Sequence, residues 1–196
     1  MYKRQVEGNV KQRQMTLFNN TLYFQADDGT NGMELWKSDG TASGTVMVKN
    51  IRVGSASSGS TELAWFTGVG DRLYFWADDG GGHDLWKTDG TASGTVKIKD
   101  FTSGEGVISS GITPNLQAVI GNTLYFVVDD GTSASNPGVY GSEVWKTDGT
   151  SSGTVRVTDI NTGSGNAGDS HPREFTVIGT TLYFTCLLYT SPSPRD

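Results

Sequence analysis

The segment Glu34–Thr41 reads ELWKSDGT, and the chain contains this pattern three times. The second copy, Asp84–Thr91, reads DLWKTDGT, and the third, Glu143–Thr150, reads EVWKTDGT. A Leu-Tyr-Phe triplet precedes each copy and occurs once more near the end of the chain. The triplets begin at Leu22, Leu73, Leu124 and Leu182. Self-similarity with a period of roughly fifty residues is the signature of a repeat protein.

Each repeat predicts four short strands separated by turns that are rich in glycine. The first strand precedes the Leu-Tyr-Phe triplet, the second contains it, the third contains the tryptophan, and the fourth follows. The predicted first strands are Leu63–Gly68, Asn115–Ile120 and Glu174–Ile178. The predicted fourth strands are Thr45–Ile51, Thr95–Phe101 and Thr154–Ile160.

The consecutive large side chains of each triplet indicate how the sheets are covered. Successive side chains of a strand point to opposite faces, so Leu22 and Tyr23 lie on different faces of one sheet. The strands of a sheet with one solvent-exposed face would instead alternate apolar and polar residues. Each small sheet must therefore be covered on both sides, and stacking one sheet on the next achieves this.

A four-stranded unit of this length is typical of propeller blades. We therefore predict an all-β fold, a partial β-propeller made of tandem four-stranded antiparallel blades. Tandem small sandwiches and a β-solenoid are the alternative architectures. The predicted boundaries are 6–61 for the first blade, 62–113 for the second, 114–173 for the third and 174–185 for the start of a fourth.

The two ends of the chain read as translated sequencing adapter. Cys186–Asp196 reads CLLYTSPSPRD, which a transposon-type adapter encodes, and Met1–Gln5 reads MYKRQ, which its reverse complement encodes. We therefore predict that residues 1–5 and 186–196 are adapter-derived scars that take no part in the fold. On this interpretation the natural segment comes from a longer chain, and Cys186 carries no information about thiol chemistry.

An Asp-Gly pair between the third and fourth strands predicts a structural turn in every copy. The pairs are Asp39-Gly40, Asp89-Gly90 and Asp148-Gly149. Glycine adopts the left-handed conformation at little cost, and aspartate accepts a hydrogen bond from a nearby backbone N–H in an Asx-turn. A second glycine, at Gly44 in the first copy, predicts another left-handed or bulged position.

The composition excludes two classes of partner. The net charge of −6 argues against nucleic acid, whose phosphates need a basic patch. No apolar run approaches the ~20 residues that a membrane-spanning helix requires, so we predict no membrane insertion. The partners that the repeat itself predicts are neighbouring blades of the same parent chain.

These motifs resemble a known family. Glu34-Leu35-Trp36-x-x-Asp39-Gly40-Thr41, followed by Gly44-Thr45, is similar to the bacterial ELWxxDGT repeat. The resemblance covers nearly all of 6–185, with Asp84 in place of the glutamate in copy two and Val144 in place of the leucine in copy three. It implies a large secreted or cell-surface bacterial protein with many propeller-like tandem units, and it implies no enzymatic activity.

Two groups of residues are candidates for ligand binding. The doubled aspartates, of which Asp129 and Asp130 are the third pair, could bind Ca²⁺ through carboxylate oxygens, although a solvated Asp-rich hairpin turn is the alternative. Copy three also carries an insertion between its second and third strands. Insertions in repeats map to loops, so Asn136 and Tyr140 could contact a glycan or a protein; neutral loop drift is the alternative.

The tryptophans and histidines need separate interpretations. Trp36, Trp86 and Trp145 could stack on sugars, but their equivalent positions favour core packing between blades. The two histidines, His83 and His171, lie in different blades, so zinc is not indicated.

No catalytic residues emerge from these patterns, and we therefore predict that the chain is not an enzyme. The predicted function is a non-enzymatic binding or structural repeat module that presents loops for adhesion, matrix or glycan contact. One alternative is part of a propeller-type enzyme whose catalytic residues lie elsewhere. Another is a calcium-stabilised structural spacer, and Ca²⁺ is the one cofactor that the sequence leaves open.

Overall fold

A computed structural model describes residues 15–54, 65–101, 116–129, 142–157 and 172–186. Within these ranges all regular secondary structure is β-strand. The strands are β1 (Thr16–Phe18), β2 (Thr21–Asp27), β3 (Met33–Ser38), β4 (Val46–Lys49), β5 (Thr67–Val69), β6 (Arg72–Asp78), β7 (His83–Thr88), β8 (Val96–Lys99), β9 (Gln117–Ile120), β10 (Thr123–Asp129), β11 (Ser142–Thr147), β12 (Val155–Arg156), β13 (Arg173–Ile178) and β14 (Thr181–Thr185).

The strands form four antiparallel sheets that follow the sequence repeat. Unit 1 has the order β1-β2-β3-β4, unit 2 has β5-β6-β7-β8, and unit 3 has β9-β10-β11-β12. Unit 4 is the two-stranded sheet β13-β14. The prediction of an all-β chain built from four-stranded antiparallel sheets is therefore confirmed. Within each sheet, strands that are consecutive in the chain lie next to each other, as expected when short turns join antiparallel strands.

The strand ends differ from the predictions at the first and fourth strands. In unit 1 the fourth strand is Val46–Lys49 and not Thr45–Ile51, because both ends are engaged elsewhere. The Thr45 hydroxyl donates to the Thr41 carbonyl oxygen in the preceding turn (2.7 Å), and the Ile51 N–H donates to the Glu34 carboxylate (2.9 Å). The first strand of unit 2 begins at Thr67, since Trp65 and Phe66 lie outside the sheet.

The second strand of unit 2 is covered on both faces. Its five consecutive residues from Leu73 to Ala77 are all buried, although they alternate between the two faces of the sheet. The matching strand of unit 4 is much more accessible, and Tyr183 is 53% exposed where Tyr74 is 4% exposed. A central sheet is thus sandwiched between its neighbours.

Each sheet presents different side chains to the unit before it and to the unit after it. The Trp76 ring of unit 2 packs on the Phe126 ring of unit 3, with 5.8 Å between ring centroids. Tyr74 lies on the same face as Trp76, so we call this the following side of the sheet. Phe126 lies on the preceding side of its own sheet. The tyrosine of each triplet therefore faces forward along the stack, and the leucine and phenylalanine face backward.

Candidate functional site: the Asp-Gly turns and the sheet junctions

Three Asp-Gly turns repeat the same hydrogen bonds. In unit 1, the Asp39 Oδ1 atom accepts hydrogen bonds from the Thr41 backbone N–H (2.9 Å) and from the Thr41 hydroxyl (2.7 Å). Gly40 has a φ of 92°, in the left-handed region that glycine tolerates. The turn aspartates are Asp39, Asp89 and Asp148, and each makes this pair of bonds.

The hydrogen bonds stabilise the ionised form of the turn aspartates. The Thr41 backbone N–H and then its hydroxyl hold the pKa of Asp39 below its ordinary value of 3.8. At Asp89 and Asp148 the threonine hydroxyl makes the larger contribution, and the pKa of each is lowered in the same way. These carboxylates therefore act as turn caps.

The second glycine of each turn has a different role from the one we predicted. Gly44 does not have a positive φ, so the left-handed alternative is wrong, and the register shift between β3 and β4 lies at Leu35 and Trp36 and not at this glycine. A Cβ atom at this position would overlap the Asp39 carboxylate, and the same overlap occurs at Gly94 with Asp89. Glycine is required here because the capping carboxylate folds directly over the backbone.

Units 1 and 2 meet at a junction where unit 1 grips the next Asp-Gly turn. The Lys37 ammonium donates to the Gly90 carbonyl oxygen at 2.7 Å. The Tyr23 ring closes over the same glycine, and a Cβ at Gly90 would lie 2.5 Å from the Tyr23 hydroxyl oxygen. Burial, with a further contribution from the Asp89 charge, raises the pKa of Tyr23. We call this pair of contacts the Tyr-Lys clamp.

The junction between units 2 and 3 repeats the clamp. The Lys87 ammonium donates to the Gly149 carbonyl oxygen, again at 2.7 Å. A Cβ at Gly149 would overlap the Tyr74 hydroxyl oxygen. Both clamped glycines are buried, whereas Gly40 is exposed and a Cβ there would meet nothing within 4 Å. The same turn sequence is thus packed in two units and open in the first.

A second lysine strengthens each junction. The Lys49 ammonium donates to the Thr95 carbonyl oxygen at 2.8 Å and lies 5.8 Å from the centre of the Trp86 ring. Lys99 lies 5.2 Å from the centre of the Trp145 ring at the next junction. A cation over an indole face is attracted by the ring quadrupole. These lysines therefore hold the tryptophan of the following unit in place.

The tryptophans themselves pack between sheets. Trp86 and Trp145 are each 6% exposed, so the core-packing interpretation is confirmed for both, and neither presents a ring face for sugar stacking. Trp36 is only half-buried, since the described residues include no unit before unit 1. The indole N–H groups of all three are buried without a hydrogen-bond partner.

A buried acid in each third strand was missed at the sequence level. Glu34, Asp84 and Glu143 are at most 1% exposed. The Glu34 carboxylate accepts the Ile51 N–H, and the Asp84 carboxylate accepts the Phe101 N–H at 3.0 Å. In units 1 and 2 the acid thus ties the chain leaving the fourth strand back to the third. An acid between apolar residues in every copy was the signal that could have found this role.

In unit 2 the buried acid also joins an ion-pair network. The Lys97 ammonium lies 2.8 Å from Asp84 Oδ2 and 2.7 Å from Asp79 Oδ2. Burial raises the pKa of Asp84, against the lowering effect of Lys97 and of the Phe101 N–H. Burial alone would lower the pKa of Lys97, but its bonds to Asp79 and Asp84 outweigh burial and raise it.

The doubled aspartates bind backbone groups of their own turns, and in unit 2 Asp78 and Asp79 also pair with Arg52 and Lys97. Asp28 Oδ1 accepts the N–H groups of Thr30 and Asn31 at 2.9 and 2.8 Å, and Asp28 Oδ2 accepts the Asn31 side-chain amide at 2.7 Å. Asp78 Oδ1 similarly accepts the N–H groups of Gly80 and Gly82. In the part of the chain that the structure describes, no group of three or more acidic, His or Cys side chains could hold a metal ion.

For the residues predicted to bind calcium or a ligand, only the position along the chain can be given. Asp129 is the last residue of β10, and Asp130 lies outside the described residues. Asn136 and Tyr140 also lie outside them. The calcium and ligand predictions for these four residues stay predictions. The insertion joins β10 to β11, at the place that the doubled-aspartate turns occupy in units 1 and 2.

Comparison of the chain with protein-family models finds no match, and comparison with curated protein sequences finds none either. The resemblance to the ELWxxDGT repeat therefore depends on the motif residues alone. The part of the chain that the structure describes contains no helical segment with the length and hydrophobicity of a membrane span.

Proposed function

We propose that this chain is part of a non-enzymatic binding or structural repeat module, a β-propeller of the bacterial ELWxxDGT type from a secreted or cell-surface protein. The module presents loops from a rigid stack of blades for adhesion, matrix or glycan contact. The stacked four-stranded sheets and their repeated junctions support the propeller architecture. The motif residues support the proposed family, and the secreted or cell-surface location is inferred from that family.

The observation that carries the proposal is a difference between the two ends of the sheets. In an antiparallel sheet, the connection between the second and third strands lies at the opposite end from the Asp-Gly turn. The turn end carries the same motif residues in all three copies, and in units 2 and 3 it packs against the preceding unit. The opposite end varies, with connections of five residues in unit 1, four in unit 2 and twelve in unit 3.

The polar side chains that recur in every unit make hydrogen bonds that stabilise the fold. Turn aspartates cap their own backbone, the clamp lysines bind carbonyl oxygens of the next unit, and the buried acids of units 1 and 2 hold the chain after the fourth strand. Binding chemistry is therefore expected where the units differ. The connection between β10 and β11, with Asn136 and Tyr140, is the largest such difference.

The test replaces residues 130–141 with the shorter connection of unit 2, Asp79–Gly82. Wild type and variant are compared on immobilised glycan and extracellular-matrix panels. A substitution at the other end of the stack, Ala42→Ser, is the matched control, because Ala42 is exposed in the turn of unit 1.

We expect the loop replacement to abolish binding and the control to leave it unchanged. Circular dichroism of both variants checks that the sheets are intact. Unchanged binding by the loop variant would remove the insertion from the proposal. Failure of the wild type to bind any member of either panel would count against the adhesive function.

A further inference from the structure

Every Asp-Gly dipeptide in the chain follows a residue whose side chain carries an oxygen that can accept a hydrogen bond. The sequence contains six such dipeptides, with aspartate before three of them and serine or threonine before the other three. They are Asp27-Asp28-Gly29, Ser38-Asp39-Gly40, Asp78-Asp79-Gly80, Thr88-Asp89-Gly90, Asp129-Asp130-Gly131 and Thr147-Asp148-Gly149. The structure describes five of them, and the dipeptide at Asp130 lies outside the described residues.

In each of the five described dipeptides, the glycine N–H donates to the side chain that precedes the aspartate. In the Asp-Gly turns the acceptor is a hydroxyl oxygen, at 3.0 Å from the nitrogen of Gly40 and at 2.9 Å from those of Gly90 and Gly149. In the doubled-aspartate turns the acceptor is a carboxylate Oδ1 atom, at 2.7 Å from the nitrogens of Gly29 and Gly80. Two different kinds of side chain therefore bind the same backbone group.

The carboxylate of each of these dipeptides is bound as well. The threonine two residues later holds it in all three Asp-Gly turns. In the doubled-aspartate turns, Asp28 Oδ1 accepts the N–H groups of Thr30 and Asn31. The Asn31 N–H contributes most to lowering the pKa of Asp28, so this carboxylate is held in its ionised form. Asp79 Oδ2 lies 2.7 Å from the Lys97 ammonium.

The glycine nitrogen and the aspartate carboxyl group are the two groups that react when an Asp-Gly dipeptide isomerises. The amide nitrogen loses its proton and forms a bond to Cγ of the protonated aspartic acid, and the carboxyl OH leaves with a proton as water. Water then adds to either carbonyl of the cyclic imide and breaks one of its C–N bonds. The products are aspartate and isoaspartate, in which the main chain passes through the aspartate β-carbon. Glycine favours the reaction because it has no side chain to shield its nitrogen.

We infer that the Asp-Gly dipeptides are latent sites of isoaspartate formation, and that the side chain before each aspartate protects its site by binding the glycine N–H. The glycines of the five described dipeptides have φ between 82° and 113°, so these turns require glycine. The sequence thus keeps the reactive dipeptide and places an acceptor before it. This role does not depend on the proposed function.

Isomerisation has its largest structural effect at the junctions between units. An isoaspartate adds one carbon atom to the main chain of the turn over which the Tyr-Lys clamp closes. A single Cβ atom at Gly90 would already lie 2.5 Å from the Tyr23 hydroxyl oxygen. A longer turn therefore does not fit beneath the clamp, and protection of the dipeptide also protects the stacking of the sheets.

The test compares Ser38→Ala with Ser38→Thr in the full chain. Alanine removes the acceptor of the Gly40 N–H, whereas threonine is the residue that units 2 and 3 carry at this position. The proteins are incubated in mildly acidic buffer, and isoaspartate is quantified at each dipeptide by peptide mapping with mass spectrometry. Asp89 and Asp148 are internal references in the same molecules, and circular dichroism checks that the sheets are intact.

We expect isoaspartate to form at Asp39 about fivefold faster in Ser38→Ala than in the wild type, the factor that corresponds to one lost hydrogen bond. The rates at Asp89 and Asp148 should stay unchanged, and Ser38→Thr should match the wild type. In concentrated urea, which removes the turns, the difference between Ser38→Ala and the wild type should vanish. An unchanged rate at Asp39, an equal increase at all three aspartates, or a difference that persists in urea overturns the inference.

A second pair of variants tests the doubled-aspartate turn and does not depend on the folding of Ser38→Ala. Asp27→Ala frees the Gly29 N–H and should accelerate isomerisation at Asp28, whereas Asp27→Asn keeps an accepting oxygen and should leave the rate unchanged. Slower isomerisation at Asp28 in Asp27→Ala would mean that the Asp27 carboxylate removes the amide proton as a base. That result would contradict a protective role. The glycan and matrix panels report on the proposed function separately.

Discussion

Replacing Gly90 by alanine places a methyl group inside the junction between units 1 and 2. Gly40 offers a matched control, because it occupies the equivalent position in the turn of unit 1. The φ angles are nearly the same, 87° at Gly90 and 92° at Gly40. The alanine Cβ lies 2.5 Å from the Tyr23 hydroxyl oxygen at Gly90, but meets nothing within 4 Å at Gly40. The difference between the two variants therefore isolates the packing of the clamp.

The magnitude follows from two contributions. A left-handed backbone costs a non-glycine residue about 1–2 kcal/mol, and the stiffer unfolded chain offsets about 0.4–1 kcal/mol of this. Gly40→Ala should thus lower the free energy of unfolding by about 1 kcal/mol. Gly90→Ala adds the cost of overpacking a buried contact, about 1–3 kcal/mol, for a total of about 2–4 kcal/mol.

The assay is urea denaturation followed by tryptophan fluorescence, with variants compared at equal m-value. Tyr23→Phe removes the hydroxyl that the new methyl group would strike. In that background Gly90→Ala should cost about 1 kcal/mol, as at Gly40, and the double-mutant cycle reports the contact directly. Equal costs for Gly40→Ala and Gly90→Ala in the wild-type chain would refute the clamp.

Three further predictions concern lysine bonds, pH and the open ends of the stack. Lys87→Met should lower the free energy of unfolding by about 1–3 kcal/mol because the buried Gly149 carbonyl loses its donor. Lys146→Met should change the free energy of unfolding by no more than about 0.5 kcal/mol, because Lys146 is exposed. Equal urea midpoints for the two variants would contradict this prediction. The pKa values of the turn aspartates are lowered in the folded state, so the unfolded chain binds more protons below about pH 4. The contribution of these aspartates to folding stability is therefore complete above that pH and is lost as the pH falls through their folded pKa values. Replacing all three aspartates by asparagine keeps a capping oxygen but removes the titrating group. The melting temperature of this variant should therefore fall less steeply at acid pH than that of the wild type. An unchanged acid dependence would show that other groups are responsible for it. Leu17 and Ile178 are 71% and 64% exposed in the first and last units, so the chain should bind a hydrophobic dye, and Leu17→Lys with Ile178→Lys should reduce the signal. A cooperatively melting monomer that binds no dye would contradict this last expectation.

Much of the fold could be predicted because the signals are local. The Leu-Tyr-Phe triplet and the tryptophan identify two strands of every unit, and each Asp-Gly pair identifies a turn whose bonds span only two residues. Repetition removes the ambiguity that a single short apolar run would leave. The strand ends were less predictable, since Ile51 leaves the sheet to bond with Glu34 on another strand.

The candidate site was predictable only in part. The turn aspartates were identified from their neighbours in sequence. The second lysine of the junction, Lys49, was not identified, because nothing near it in the chain indicates that its ammonium lies beside Trp86. The burial of the three acids was likewise not predicted, since an acid in a strand is ordinarily exposed unless it has a partner.

The amino-acid sequence by itself determined the repeat, the strand order and the turn chemistry, because each depends on residues a few positions apart and on the alternation of side chains along a strand. The tertiary structure alone decided which face of each sheet looks forward and which residues meet there. The clamp joins residues 53 and 62 positions apart, at Lys37–Gly90 and Lys87–Gly149. Such contacts exist only once sheets have stacked, so identical turns become buried or exposed according to their place in the stack.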